Sequence, residues 1–502
     1  MISLTVTTGN VLDYDLASYA FFLEYNFTDD QLSEAQQLFG PIASSLRERN
    51  FKGAAGSHVE ISGVHNGHGV SLIFLGLGSR DDQNHLSVET YRRALGRLVR
   101  YTESHKLKDL GMYVPDAPDY GITPDRLGRE IATMLHKASY HFDEFITTAD
   151  RKLSFDSAVT LVVPQDYLSD IQTGVVAGNA IADAINKARY WCDLPPAALT
   201  PTKLADQAQD IAIKHNIAAT ILDEQAIIGL GMGGIVGVSK GSQEEARLVI
   251  LEYKTTKPNA PTIALVGKGV TFDSGGLSLK PAVAMESMKD DMAGAVVVIA
   301  TMGVIGQLKP HVNVIAFAPL AENMPSGTAT RPGDILRFYN GKTAEVKNTD
   351  AEGRLILADA LSYAIKNYKL DAIIDIATLT GACAQALGHF YAGLLTQHET
   401  LAKRIIEASE LSGDRVWRLP MDNDYKPAVR SDVADICNIG SPNYKAGAIT
   451  AAFFLQHFVG DIPWAHIDIA GTAFGVPDMS YYRPGATGFG IRLFVDLLMN
   501  WN

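Results

Sequence analysis

Three short segments hold the side chains that could do chemistry together. Val266–Pro281 reads VGKGVTFDSGGLSLKP and carries Lys268, Asp273 and Lys280. Met288–Ala295 reads MKDDMAGA and carries Asp291. Asn348–Leu355 reads NTDAEGRL and carries Asp350, Glu352 and Arg354. Singly, each acid has an ordinary use: Asp291 and Glu352 lie at predicted helix starts, where a carboxylate caps backbone N–H groups and complements the helix dipole. As a set they mean more. Asp350 and Glu352 are two apart, so in extended backbone both point to one side. All four acids fall in loops between predicted strands and helices of one sheet. If they converge, each like-charge pair at ~4 Å and an effective dielectric near 20 costs about 4 kcal/mol. Two divalent cations supply the compensating charge, and oxygen ligands suit zinc, manganese or magnesium. Paired metals are a known arrangement for hydrolysis.

The flanking sequence supplies elements to position these groups. Pro261–Val266 (PTIALV) reads as a strand ending at the first segment, and Gly267, Gly269, Gly275 and Gly276 let the backbone turn and approach a ligand. Met292 to Gln307 reads as a helix, His311 to Phe317 as a strand, Glu352 to Tyr368 as a helix and Leu370 to Ala377 as a strand. Upstream, strands are expected at Val70–Leu75, Leu110–Val114 and Ser157–Val163, and helices at Val88–His105 and Ser169–Tyr190. The alternation predicts an α/β fold of two domains, each a mostly parallel sheet layered with helices, the C-terminal one holding the metal site. The expected division is an N-terminal domain over residues 1–168, a linker helix over 169–196 that prolines terminate, and a catalytic domain over 197–502.

Composition narrows the class. The 502 residues exceed one ordinary core. Apolar residues at 47% and charged residues at 20% are the balance of a globular chain. A net charge of −13 disfavours bulk nucleic-acid binding. Cys192, Cys383 and Cys437 are too few and too scattered for a disulfide framework or a zinc finger, which suits a reducing cytoplasm. The N-terminus lacks the pattern of a signal peptide, and no stretch is expected to span a bilayer.

NTDAEGRL, with the two upstream segments in order, resembles the signature set of the leucyl aminopeptidase (cytosol aminopeptidase) family. The likeness extends to Asn323–Leu336, Thr378–Ala382, Ala446–Ala451, Trp464–Gly471 and Gly485–Gly488, and covers the chain from about Ala188 onward. It implies a hydrolase that removes the N-terminal residue, leucine and other apolar residues preferred, from peptides with a free amine, using a water activated between two metals. It further implies Asp273 and Glu352 bridging the metals, Asp350 on the more exchangeable one, and Lys268 and Asp291 completing the tighter site. Lys280 and Arg354 would remain unligated and catalytic, Lys280 facing the oxyanion and Arg354 anchoring a bicarbonate that shuttles protons. As a ligand, Lys268 must shed its proton, which at pH 7 costs roughly 4.6 kcal/mol and needs an adjacent dication. Met288, Asn348, Thr378, Leu379 and Gly381 are the candidate substrate pocket; for Met288, core packing is the competing use. The metals expected are Zn²⁺ or Mn²⁺, with Mg²⁺ or Co²⁺ also suited to the exchangeable site. The family assembles as homohexamers, and some members add a DNA-binding or regulatory role, the alternative function.

Other motifs carry less. Gly229–Gly234 (GLGMGG) lacks the preceding strand and the spacing of a dinucleotide loop. The thirteen histidines contain no HExxH, and His466 is expected in the core. Asp193 departs from the asparagine of many family members. A two-metal phosphatase or nuclease is the third class, which has no need of a lysine ligand.

Overall fold

The apolar runs build two sheets in a computed structural model that describes residues 2–148 and 155–501. The chain divides into two units, Met1–Asn186 with Pro477–Arg483, and Lys187–Val476 with Pro484–Asn502. In the first, strands β1 (Ile2–Thr7), β2 (Ser18–Glu24), β3 (His58–His65), β4 (His68–Gly78), β5 (Asp109–Tyr113) and β6 (Ser157–Val162) form a six-stranded sheet in the order β1-β6-β5-β2-β4-β3. All neighbours are parallel except the β3–β4 hairpin. Helix α1 (Val88–Ser104) starts at Ser87, whose hydroxyl accepts from Thr90 N, and buries Tyr91, Leu95, Leu98 and Val99. Helix α2 (Pro124–Ala138) buries Leu127, Ile131 and Leu135 at the same helical spacing. Helix α3 (Leu168–Asp193) contains the point where the units divide.

The second unit holds strands β7 (Ala218–Leu222), β8 (Arg247–Tyr253), β9 (Thr262–Gly267), β10 (Gly269–Asp273), β11 (Asn313–Asn323), β12 (Ala372–Ala377), β13 (Ala392–Leu395), β14 (Val416–Arg418) and β15 (Trp464–Asp468). Their order is β14-β13-β15-β12-β9-β11-β8-β7, with β10 beside β11. The centre β15-β12-β9-β11 is parallel, and antiparallel pairing is confined to β13–β15, β8–β11 and β7–β8. Parallel strands send their carboxyl ends to one side, so the loops after β9, β10, β11 and β12 open together.

Strand β11 runs six residues past the expected end at Phe317. A proline within a strand argues against its continuing, because it has no N–H to give the ladder. Pro319 is tolerated because Phe317 is the last residue paired with β9 and Leu320 the first paired with β10, so on that side the ladder is interrupted where the proline sits.

Helix α4 (Ala293–Leu308) is apolar all round and buried on every side through Ile305. This corrects the expectation that no stretch could span a bilayer: Ala282–Leu308 passes by length and composition, and 83% of its most apolar window is buried inside the fold. It covers the sheet through two glycines. A Cβ on Gly267 would lie 2.3 Å from Gly294 O, and one on Gly294 would lie 2.2 Å from Ile376 O. No other residue allows strand ends and helix start so close. Helix α5 (Gly353–Asn367) buries Leu355, Ile356, Leu357, Ala358 and Leu361. A small three-stranded sheet of Ile335–Arg337, Thr343–Glu345 and Ile436–Cys437 flanks the loop that leads into α5.

Candidate active site

Lys268 stands just past β9, Asp273 ends β10, Asp291 precedes α4, and Asp350 and Glu352 precede α5. One carboxylate oxygen from each of Asp273, Asp350 and Glu352 lies within 4.8 Å of the others. Lys268 Nζ lies 2.6 Å from Asp291 Oδ1 and 3.0 Å from Glu352 Oε1. Lys280 Nζ lies 2.8 Å from Asp273 Oδ2 and 2.5 Å from Asp350 Oδ1. The four acids and two lysines from three distant segments therefore form one cluster, in which Asp273, Asp291, Glu352 and Lys268 are buried.

The helix-cap uses open to Asp291 and Glu352 do not occur. The residue capping α4 is Met292, with no side-chain hydrogen bond, and Glu352 at the start of α5 makes none either. Asp291 Oδ1 instead accepts from Lys268 Nζ and, at 2.9 Å, from the Thr378 hydroxyl. Of the four glycines in the first segment, only Gly275 and Gly276 adopt positive φ, at 85° and 61°; Gly267 and Gly269 serve close packing.

Electrostatics show an unbalanced site. Burial, and then the charge of Glu352, push Asp273 up to about 7. Burial raises Asp291 and Asp350 as well. Burial disfavours charge on Lys268 and Lys280, but the surrounding carboxylates outweigh it and hold both ammoniums above their ordinary range. Four carboxylates against two ammoniums leave negative charge over. Asp291 Oδ2 and Glu352 Oε2 are buried without a hydrogen-bond partner, an arrangement that costs free energy unless a cation takes it up. An all-oxygen donor set with an excess of negative charge, some of it unpartnered, fits divalent metal binding.

The remaining candidates line the same loops. Arg354 is buried, and burial lowers it to about 10; its Nη1 donates to Asn438 O at 2.8 Å. The Thr378 carbonyl accepts from Lys268 Nζ at 2.8 Å. Leu379 N donates to Asp468 Oδ1 at 3.2 Å, and Gly381 opens a short helix (Gly381–Leu387) that Thr380 caps. Asn348 Oδ1 accepts from Asp350 N at 2.8 Å, so this side chain shapes the acid loop. Met288 is half-buried in the turn Met288–Asp290. Asp193 is less remote than its position in sequence suggests: its carbonyl accepts from Lys289 Nζ at 2.6 Å, and its carboxylate from Ala486 N at 3.0 Å. His466 is fully buried, with Nδ1 2.5 Å from Asp375 Oδ1, while its Nε2 has no hydrogen-bond partner. The Gly229–Gly234 stretch joins two short helices and follows no strand, and Gly234 packs where a Cβ would lie 2.3 Å from Leu355 O.

Two positioning groups were not singled out from the sequence, Asn323 and, within NTDAEGRL itself, Thr349. Asn323 Nδ2 donates to Asp273 Oδ1 at 2.7 Å and to Thr349 O at 3.0 Å, which joins two acid-bearing loops. Thr349 Oγ1 donates to Gly275 O at 2.7 Å and accepts from Ser278 N at 2.8 Å. Asn323 opens one of the segments resembling the family, the only signal that marked it.

Fold and site together define an α/β protein with a carboxylate cluster fit for divalent cations at the carboxyl ends of its parallel strands. The chain belongs to the cytosol aminopeptidase family: residues 186–495 match the profile of its catalytic domain and residues 25–148 that of its N-terminal domain. A probable cytosol aminopeptidase of Alkaliphilus oremlandii is 40% identical over 474 residues, 94% of each chain. One of Chlorobaculum tepidum is 42% identical over 477 residues, 92% of each. Among solved structures, the bottromycin maturation enzyme BotP in complex with Mn is similar with a TM-score of 0.85 at 31% identity, covering 96% of this chain and 99% of that one. Aminopeptidase activity is thus the family's chemistry, and a manganese-bound relative accords with the acidic cluster.

Proposed function

We propose that the chain is a metal-dependent aminopeptidase that removes single, preferably apolar, residues from the free amino end of peptides. The observation that carries this is the convergence of Asp273, Asp350 and Glu352 within 4.8 Å, with buried oxygens left unpartnered beside them. Asp273, Asp291, Asp350 and Glu352, with Lys268, would hold two divalent cations, Zn²⁺ or Mn²⁺. Bound there, the cations supply Lewis acidity that lowers the pKa of a water and polarises a carbonyl. A free substrate amine would be held at the cation site, and an acetylated one would have no lone pair to place there, which fixes the requirement for an unblocked N-terminus. The chain's own groups do the rest. Lys280, partly exposed and held only by ion pairs, can turn its Nζ to the oxygen on which negative charge develops. Arg354 has its Nη1 fixed and its Nε without a partner, so it can hold a small anion such as bicarbonate for proton transfer. The loop from Thr378 to Gly381, with Met288 and Asn348, would border the substrate. By the family resemblance the enzyme works in the cytoplasm as a homohexamer, which sedimentation can test.

The decisive experiment compares leucine p-nitroanilide with its N-acetyl form, together with metal analysis of the purified protein. We expect hydrolysis of the first alone, and its loss in Asp350→Ala with the fold retained. Full turnover in that variant would overturn the assignment.

A further inference from the structure

The loop carrying Asp350 and Glu352 is irregular backbone between the strand Thr343–Glu345 and α5. Such backbone keeps one shape only where its polar groups find fixed partners. Four of the bonds that hold it come from the side chain of one residue about 90 positions away in sequence. Asn438, directly after Ile436–Cys437, is fully buried. Its Oδ1 accepts from Lys347 N at 2.9 Å and Asn348 N at 3.4 Å. Its Nδ2 donates to Asn348 O at 2.6 Å and Ala351 O at 3.3 Å. Its backbone N donates to Glu345 O at 3.0 Å, and its backbone O accepts from Arg354 Nη1 at 2.8 Å. Asn438 thus grips the loop before Asp350 and between Asp350 and Glu352, and also holds the guanidinium beyond them. A neutral amide suits the place. A lysine or arginine there would compete with cations for the carboxylates, and an acid would face two carbonyl oxygens.

We propose that Asn438 is a positioning residue that sets Asp350, Glu352 and Arg354 in one register and thereby sets the affinity of the acid cluster for divalent cations. This rests on reading the cluster as a cation site.

The test titrates the full-length, metal-free protein with Mn²⁺ by calorimetry, in the wild type and in Asn438→Ala, Asn438→Ser and Asn438→Asp. Thermal unfolding of the same samples reports the fold. We expect at least tenfold weaker Mn²⁺ binding in Asn438→Ala and a smaller loss in Asn438→Ser, whose hydroxyl replaces one contact. Asn438→Asp separates geometry from charge. An added negative charge alone would tighten Mn²⁺ binding, whereas loss of the Nδ2 donor to the loop carbonyls weakens it, and weakening is expected. Turnover of leucine p-nitroanilide by Asn438→Ala should fall more than tenfold and recover partly as Mn²⁺ is raised. Wild-type Mn²⁺ affinity in the folded variants, or tighter binding in Asn438→Asp, overturns the proposal. Weakened Mn²⁺ binding without any wild-type peptidase activity would leave the positioning role standing and remove the peptidase reading. Wild-type cleavage with unaltered variants would do the reverse.

Discussion

Two buried clusters, one in each unit, handle charge in opposite ways. In the first, Glu130 at 3% exposure is gripped on both oxygens, by Arg92 Nε at 2.8 Å and Arg126 Nε at 2.8 Å. Burial opposes its charge, but the guanidiniums outweigh it and hold the carboxyl well below the ordinary range. In the second, Asp273 is as deeply buried, and burial, with the charge of Glu352 added to it, pushes it up to about 7 against the opposing charges of Lys280 and Lys268. Burial alone therefore says little about the role of a charge. In this pair, the buried acid matched by protein cations has a structural role, and the one left in surplus among other acids fits a further cation.

The largest effect that sharpens this contrast is expected from Asp273→Asn. Turnover should fall by about 10³-fold or more, because an interaction of the reaction itself is lost. The metal-free protein should melt no lower than the wild type, since one repelling charge is gone. A variant that fails to fold without metal would erase the distinction between the two clusters.

Glu130→Gln should behave in the opposite sense. Removing one partner of a buried ion pair costs about 3–5 kcal/mol, visible in urea unfolding, while turnover per folded molecule stays unchanged. The pH dependence has a fixed sign. Glu130 is depressed in the folded state, so its contribution is complete above the unfolded pKa of about 4.3 and is lost as pH falls toward the folded value. The stability gap between wild type and Glu130→Gln should be full at pH 6 and narrow below about pH 4. A gap independent of pH would show that the carboxylate charge is not what stabilises the first unit.

A smaller effect is expected at Gly353. A Cβ there would lie 2.3 Å from Lys268 Cε. Gly353→Ala should displace that lysine and lower kcat/KM by about tenfold, roughly 1.4 kcal/mol in the transition state. Alanine is the better helix former, so α5 itself should not weaken. Unchanged kinetics would show that Lys268 can shift without consequence.

The acids were legible in the sequence because chemistry forces them into short segments of unusual type and order. Strand and helix positions were legible where apolar residues were dense and bounded by turn residues, as in β9, α4 and α5. What escaped was non-local. The extension of β11 past Pro319 depends on a change of neighbouring strand that no local pattern reveals, and it is this extension that delivers Asn323 to Asp273. Asn438 sits in CNIG, where nothing nearby announces a partner in NTDAEGRL. The apparent membrane-spanning run arises because a helix buried on all sides loses the polar face that usually identifies a globular helix.

The first unit also contains Pro477–Arg483, far from the rest of it in sequence. There the Tyr481 hydroxyl donates to Glu89 Oε1 at 2.8 Å, Lys137 lies 4.0 Å from the centre of the Tyr482 ring, and Gly96 leaves room for the backbone at Ser480. During synthesis nearly 300 residues separate the emergence of Asn186 from that of Pro477. At roughly 5–20 residues per second this is a delay of about 15–60 s. Until it ends, the nascent first unit exposes a furrow shaped for its own distant strap, and a chain halted before Pro477 would leave that furrow to chaperones or to other chains.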